Sequence, residues 1–167
     1  MLINFPSIGI SETFQTYQLS DGSLINVEFL DTAGQERYRT LNNQYYRKAD
    51  ACLLVYDISN KITFQSIKNY YKREIKEKCK DDIKIILLGN KTDLEDQREV
   101  SSIEGADFAF ENNYIFMETS CLENRNVADS FETLIELTYR ENLNIYANQS
   151  ENTITIKNSQ NNKKNCC

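Results

Sequence analysis

Polar and apolar residues alternate over Thr13 to Leu19, and a more continuously apolar run returns over Leu24 to Leu30, with Ser20-Asp21-Gly22-Ser23 between them. Two such runs around a turn whose glycine can take a positive φ predict a β-hairpin. From Asp50 onward the pattern becomes strand, helix, strand, helix. Ala51 to Tyr56, closed by Asp57, is one apolar run; Lys84 to Leu88 is a second and Tyr114 to Glu118 a third. Between the first two, Phe64, Ile67, Tyr71, Ile75 and Cys79 recur at spacings of three and four, which predicts a helix with those residues on one face. Ser101-x-x-Glu104 is a capping box, predicted to start a helix that carries Ile103, Ala106 and Phe110 inward. A last helix is predicted from about Asn126 to Asn142, burying Val127, Phe131, Leu134, Ile135 and Thr138. Strands alternating with helices predict an α/β fold, a mostly parallel sheet with crossover helices. Residues 1 to 12, which hold the chain's single proline, Pro6, are predicted as an irregular loop.

Composition changes this picture at the C-terminal end. The 167 residues are a one-domain length. After Tyr146 the chain turns to Asn, Gln, Ser and Lys, so the expected division is a domain over residues 1–146 and a disordered tail over residues 147–167. That tail carries Lys157, Lys163 and Lys164 near its end and finishes in Cys166-Cys167. Nineteen Lys and Arg against 25 Asp and Glu leave a net charge of -6, which disfavours nucleic acid as a partner. The five cysteines have no regular spacing, which argues against a disulfide framework and against a metal site. No stretch approaches the roughly 18 apolar residues of a membrane span, and Met1 to Phe5 lacks the basic flank of a signal peptide. No internal repeat is present.

Candidate chemistry sits where the predicted strands give out. Asp31-Thr32-Ala33-Gly34-Gln35-Glu36 follows the run ending at Leu30. Its carboxylate could hold a metal ion, its glycine N–H could approach a phosphate, and Gln35 could orient a water. Taken alone, these six residues suit an ordinary strand-to-helix turn equally well. Asn90-Lys91-Thr92-Asp93 and Thr119-Ser120-Cys121 are two further polar loops at strand ends. Open α/β sheets bind ligands at that end of their parallel strands.

Three such loops in this order resemble the Ras-like small GTPases, and Asp31 to Tyr38 with Gln44-Tyr45-Tyr46-Arg47 is similar to the Rab branch. The likeness runs from about Pro6 to Arg140, and the Cys-Cys terminus shares it. The resemblance implies GTP and GDP as ligands, with Mg²⁺. Asp93 would accept from the two donors of the guanine edge, Asn90 would bind the far edge, and the Lys91 stem would lie on the ring face. The Cys121 N–H would meet the guanine oxygen while Ser120 braces the loop. Ser7 and Asp31 would hold Mg²⁺, Gly34 would donate to the γ-phosphate, and Gln35 would place the attacking water. The family's usual Ser-Ala-Lys is Ser120-Cys121-Leu122 here, so the second lysine over the base is absent. At the positions of the aromatic triad read by Rab effectors stand Glu12, Leu30 and Tyr45, of which one is aromatic. Exchange factors, GTPase-activating proteins and effectors are the implied partners. Cys166 and Cys167 would be geranylgeranylated by the prenylation machinery, anchoring the chain to the cytoplasmic face of intracellular membranes, with a cytosolic pool.

One part of the family pattern is missing. The chain contains no Gly-x-x-x-x-Gly-Lys-Ser/Thr. The implied fold is therefore a Ras-like P-loop NTPase fold without its first strand, phosphate loop and first helix. Losing four charge-assisted hydrogen bonds to phosphate would cost about 6 kcal/mol, a factor of ~10⁴ in affinity. The missing strand should lie between Leu24–Leu30 and Ala51–Tyr56, leaving both with open edges, and residues 1 to 5 are expected to be too few to replace it. The chain alone is accordingly expected to be unstable or poorly soluble. The expected function is a guanine-nucleotide switch in vesicle traffic, impaired in this chain, and the alternative is a non-catalytic interaction module that binds no nucleotide.

Overall fold

In the computed structural model, residues 2–4, 14–30, 46–141 and 143 are described. The Pro6 loop and the C-terminal tail lie outside them. The hairpin forms as the alternation predicts: β2 (Phe14–Gln18) pairs antiparallel with β3 (Leu24–Leu30), from Phe14 opposite Glu28 to Gln18 opposite Leu24. Gly22, at φ 85°, closes the turn by donating its N–H to the Leu19 carbonyl at 2.9 Å.

Beyond the hairpin, β4 (Ala51–Asp57), β5 (Lys84–Asn90) and β6 (Ile115–Thr119) form a parallel ladder. The whole sheet has the order β2-β3-β1-β4-β5-β6, and its β1 is Leu2–Asn4. This corrects the expectation that residues 1 to 5 cannot stand between β3 and β4. Leu2, Ile3 and Asn4 pair antiparallel with Leu30, Phe29 and Glu28, while Leu2 and Ile3 pair antiparallel with Cys52 and Ala51. The expectation rested on residues 1 to 5 being too few and too tightly joined to the Pro6 stretch. A ladder needs only paired N–H and C=O groups, and an antiparallel segment of three residues supplies them to both sides.

Helices cover the two faces of the sheet. Lys61–Ser66, Ile67–Tyr71 and Lys72–Lys78 run on as one helix, α1, whose middle segment is a π turn. Ser102–Glu111 is α2 and residues 127–141 are α3. One core packs α1 and α2 on Cys52, Leu54, Tyr56, Ile85 and Leu87; the other packs α3 on Val27, Ala51, Leu53, Ile86 and Leu88. Successive strand residues point to opposite faces, so each parallel strand feeds both cores. Among the described residues no helix is long and apolar enough to cross a membrane.

Two helix faces differ from expectation. In α1, Phe64, Ile67 and Ile75 are buried, but Tyr71 is exposed and Cys79 only half-buried. The π turn takes an extra residue to close, which rotates position 71 off the inward stripe. In α2 the phase is different altogether: Ile103 and Phe110 are 73% and 86% exposed, Ala106 is half-buried, and Gly105, Phe108 and Ala109 face the core. Gly105 explains the phase. A Cβ there would stand 2.6 Å from both Phe116 and the Tyr56 hydroxyl, so the helix can come this close to the sheet only with its glycine turned inward. Phe108 then meets Phe64 and Tyr114 edge-on. In α3, Leu134, Ile135 and Thr138 are buried as predicted, and Phe131 is half-buried with its ring edge-on to Phe29.

Three substitutions check this packing. Ile3→Pro removes a ladder donor from β1 and should lower the urea-unfolding free energy by about 1–3 kcal/mol. An unchanged midpoint would mean that β1 does not bridge β3 and β4. The Tyr56 hydroxyl is buried with no hydrogen-bond partner among the described residues. Tyr56→Phe should therefore leave stability unchanged or raise it by about 1 kcal/mol. Gly105→Ala should lower it by about 1–3 kcal/mol through overpacking.

Candidate functional site

The ladder brings three strand ends into one row: Asp57 is level with Asn90, and Asn90 with Thr119. Both β5 and β6 run past their predicted ends, to Asn90 and Thr119, so these two residues are held by backbone pairing. Immediately after β5, Lys91 adopts φ 70°, a left-handed conformation uncommon for a residue with a side chain. That reversal turns the chain into the 3₁₀ segment Thr92–Gln97, which carries Asp93.

Side chains then tie this loop to the one that follows β6. Ser120, fully buried, donates its hydroxyl to Asp93 Oδ1 at 2.5 Å and accepts from the Glu123 N–H at 3.1 Å. Ser120 and Arg125 exchange both backbone hydrogen bonds, at 3.1 and 2.9 Å. Thr92 Oγ1 donates to the Thr119 carbonyl and Thr119 Oγ1 to Asn90 Oδ1, each at 3.3 Å. The loop closes through Asn124 and Asn126, both at positive φ, and Asn126 Nδ2 donates to the Glu118 carbonyl at 2.9 Å. Cys121 is an exposed free thiol at the rim.

On the other side of the row, the Lys91 ammonium is paired with Asp57 Oδ2 at 2.6 Å. Asp57 Oδ1 accepts from the Ser59 N–H and hydroxyl at 2.9 and 2.7 Å. Burial alone would raise the Asp57 carboxyl, but the Lys91 and Ser59 hydrogen bonds outweigh it and hold the group below its ordinary range. The hydrogen bond to Asp57, followed by its charge, raises Lys91 in turn.

Of the residues singled out in the sequence, Asn90, Lys91, Asp93, Ser120 and Cys121 are therefore gathered at one edge of the sheet. Ser7, Asp31, Gly34, Gln35, Cys166 and Cys167 lie outside the described residues. Asp57 and Arg98 belong to the same assembly and were not singled out. Asp57 closes its strand as Asn90 does, which was the available signal, whereas Arg98 lies in an ordinary polar stretch, Gln97-Arg98-Glu99, and carries none. A cleft of about 740 Å³ opens at the opposite end of β5 and β6, between Lys72, Lys76, Ile83, Tyr114 and Leu137, away from this row.

The Asp93 carboxylate keeps acceptor capacity at this end of the sheet. Asp93 Oδ2 has no hydrogen-bond partner among the described residues, and Oδ1 has one, although each carboxylate oxygen can accept two. Two parallel donors of a heterocycle can be met there. The residues expected to hold Mg²⁺, Ser7 and Asp31, are not among those described.

The sequence model of the Ras family matches residues 4–140. Ras-related protein Rab-8B of Homo sapiens is 43% identical over 128 residues, which cover 77% of this chain and 61% of that protein. Ras-related protein Rab-8A of Bos taurus is 44% identical over 128 residues with the same coverage. The chain spans about 61% of the length of these curated relatives.

The Asp57–Lys91 pair sets a pH dependence. Because the folded Asp57 carboxyl lies below its unfolded value of 3.8, the stabilisation is complete above that value and is lost as pH falls through the folded one. Asp57→Asn should lower stability at about pH 6 and flatten its decline below about pH 4. Urea midpoints of both proteins across that range check this; parallel curves would show that the pair contributes nothing.

Proposed function

The chain belongs to the Ras family, in its Rab branch, and on that footing we propose that it is a guanine-nucleotide-binding protein of the GTP/GDP-switch type. The observation that carries the proposal is the Asp93 carboxylate, oriented by the buried Ser120 hydroxyl and left with acceptor capacity at the edge of the sheet. A carboxylate there accepts from guanine N1–H and its exocyclic amine; adenine offers no such pair and would leave the acid unpaired. Asn90 reads the far edge of the base. The Lys91 stem, drawn toward Asp57, lies along one face of it. The Cys121 N–H meets the guanine oxygen from the loop that Ser120 braces.

For the phosphate side, the proposal assigns Gly34 to the γ-phosphate and Gln35 to the attacking water, with Ser7 and Asp31 as the residues that would hold Mg²⁺. The metal, when bound, neutralises charge developing on the transferred phosphoryl group. Within the 167 residues no Gly-x-x-x-x-Gly-Lys-Ser/Thr occurs, and the proposal for these residues taken by themselves is weak nucleotide binding. The cellular role proposed is in vesicle traffic, with exchange factors, GTPase-activating proteins and effectors as partners. Lipidation at Cys166 and Cys167 would hold the chain to the cytoplasmic leaflet, since two chains are what stable anchoring requires. A second reading is an interaction module that keeps the fold without the nucleotide.

Titration of the purified chain with a fluorescent guanine nucleotide and Mg²⁺ tests both. Binding weaker than micromolar, competed by GDP and not by ADP, is expected, and micromolar or tighter affinity would overturn the weak-binding claim. Asp93→Asn should reduce guanine affinity by about 100-fold and favour xanthine, whose 2-oxo group accepts where guanine donates. No competition by GDP at any concentration would favour the interaction module.

A further inference from the structure

We propose that Arg98 is a positioning residue for the base site, clamping the Asp93 loop to the Ser120 loop from behind; this rests on the reading of Asp93 as the guanine acceptor. All five N–H donors of its guanidinium are used. Nε and Nη2 donate to the two carboxylate oxygens of Glu95 at 2.8 and 2.6 Å. Nη1 and Nη2 donate to those of Glu118 at 2.7 and 3.2 Å, and Nη1 also donates to the Val100 carbonyl at 2.9 Å. The side chains of Arg98 and Glu118 are only 14% and 22% exposed, so the bonds to Glu118 are largely shielded from water, while those to Glu95 lie at the surface.

What matters is where the two carboxylates stand. Glu95 follows Asp93 by two residues in the same 3₁₀ segment, and Glu118 precedes Ser120 by two residues at the end of β6. Arg98 therefore closes a ring whose far side is the Asp93–Ser120 hydrogen bond. The two loops are far apart in sequence, and their spacing sets whether Asp93 presents its acceptors squarely to two parallel donors. A misplacement of the order of 1 Å costs such a site about 10²-fold. Lysine keeps the charge but cannot hold two carboxylates in one planar fork.

Arg98→Lys is the test, read in two ways on the full chain. Amide hydrogen exchange at Ser120, Glu123 and Arg125 should accelerate by about tenfold or more, while the β4 amides of Leu54 and Tyr56 stay unchanged. Affinity for GDP should fall by about tenfold, and the preference for GDP over IDP, which lacks the exocyclic amine, should narrow. Glu95→Gln, at a carboxylate that is 64% exposed, should move both readouts in the same direction by less, and serves if Arg98→Lys does not fold. Unchanged exchange at the three loop amides overturns the clamp whatever the nucleotides do. Equal losses for GDP and IDP with a general rise in exchange make Arg98 purely structural and overturn the proposal too. If the wild-type chain binds no guanine nucleotide while exchange accelerates as expected, the guanine reading fails, and Arg98's role toward the base is overturned with it while the clamp between loops remains.

Discussion

Asp57, Asn90 and Thr119 occupy one row across three parallel strands, and this register is the constraint on which the site depends. Parallel strands place all their C-terminal ends on the same edge of a sheet, so the loops that follow β4, β5 and β6 emerge side by side. Each loop alone is a short polar turn. Brought level, they set Asp57, Asn90, Lys91, Asp93 and Ser120 side by side at one end of the parallel strands. A slip of one residue in any pairing would turn that strand's side chains to the opposite face. Such a slip is resisted from both faces, since Ile85 and Leu87 pack in one core and Ile86 and Leu88 in the other.

Polar groups at this edge hold one another in place. Thr92, Thr119 and Ser120 are buried, and each hydroxyl is used. Lys91 keeps a backbone conformation that side chains seldom adopt, while its ammonium finds Asp57. Strain and pairing of this kind concentrate where a surface must present groups rather than hide them. The contrast with Tyr56 is informative: its hydroxyl is buried under Gly105 with no hydrogen-bond partner among the described residues.

What could be read from the sequence was whatever local chemistry decides. Leu24–Leu30 has its observed bounds because alternation and the Gly22 turn act over a few residues, and Ser101 caps α2 through the Glu104 N–H as its spacing predicts. The loops holding Asp93 and Ser120 were visible because each begins where an apolar run stops. What escaped depends on distant partners. The phase of α2 is set by Gly105 against Tyr56 and Phe116, from two other elements, and the exposed stripe of Ile103 and Phe110 looks just as apolar. Tyr71 is displaced by a π turn that leaves no mark in the spacing. Leu2–Asn4 joins the sheet between strands that lie well downstream in the chain, and Arg98 acquires its place only when Glu118 arrives on β6.

The described contacts of the base-side residues also divide the molecule. Asp57 bonds to Ser59, Thr63 and Lys91; Asn90 to Ile58 and Thr119; Asp93 to Ser120; Arg98 to Glu95, Val100 and Glu118. Every one of these partners belongs to β4, β5, β6 or the stretch that follows one of them, with Thr63 in the first turn of α1, and none belongs to β1, β2 or β3. The geometry around Asp57, Asn90 and Asp93 is thus internal to one parallel half of the sheet. The other half supplies the hairpin and the short antiparallel bridge, and joins the first through β1 pairing and the core beneath α3. A change in how β1 fills its slot therefore reaches the Asp93 loop only through β4, a strand already held on its other side by seven paired positions of β5. The loop that carries Asp93 is accordingly shaped from within its own half of the sheet, because its described hydrogen bonds run to Ser120 and, through Arg98, to Glu118, and not to the hairpin.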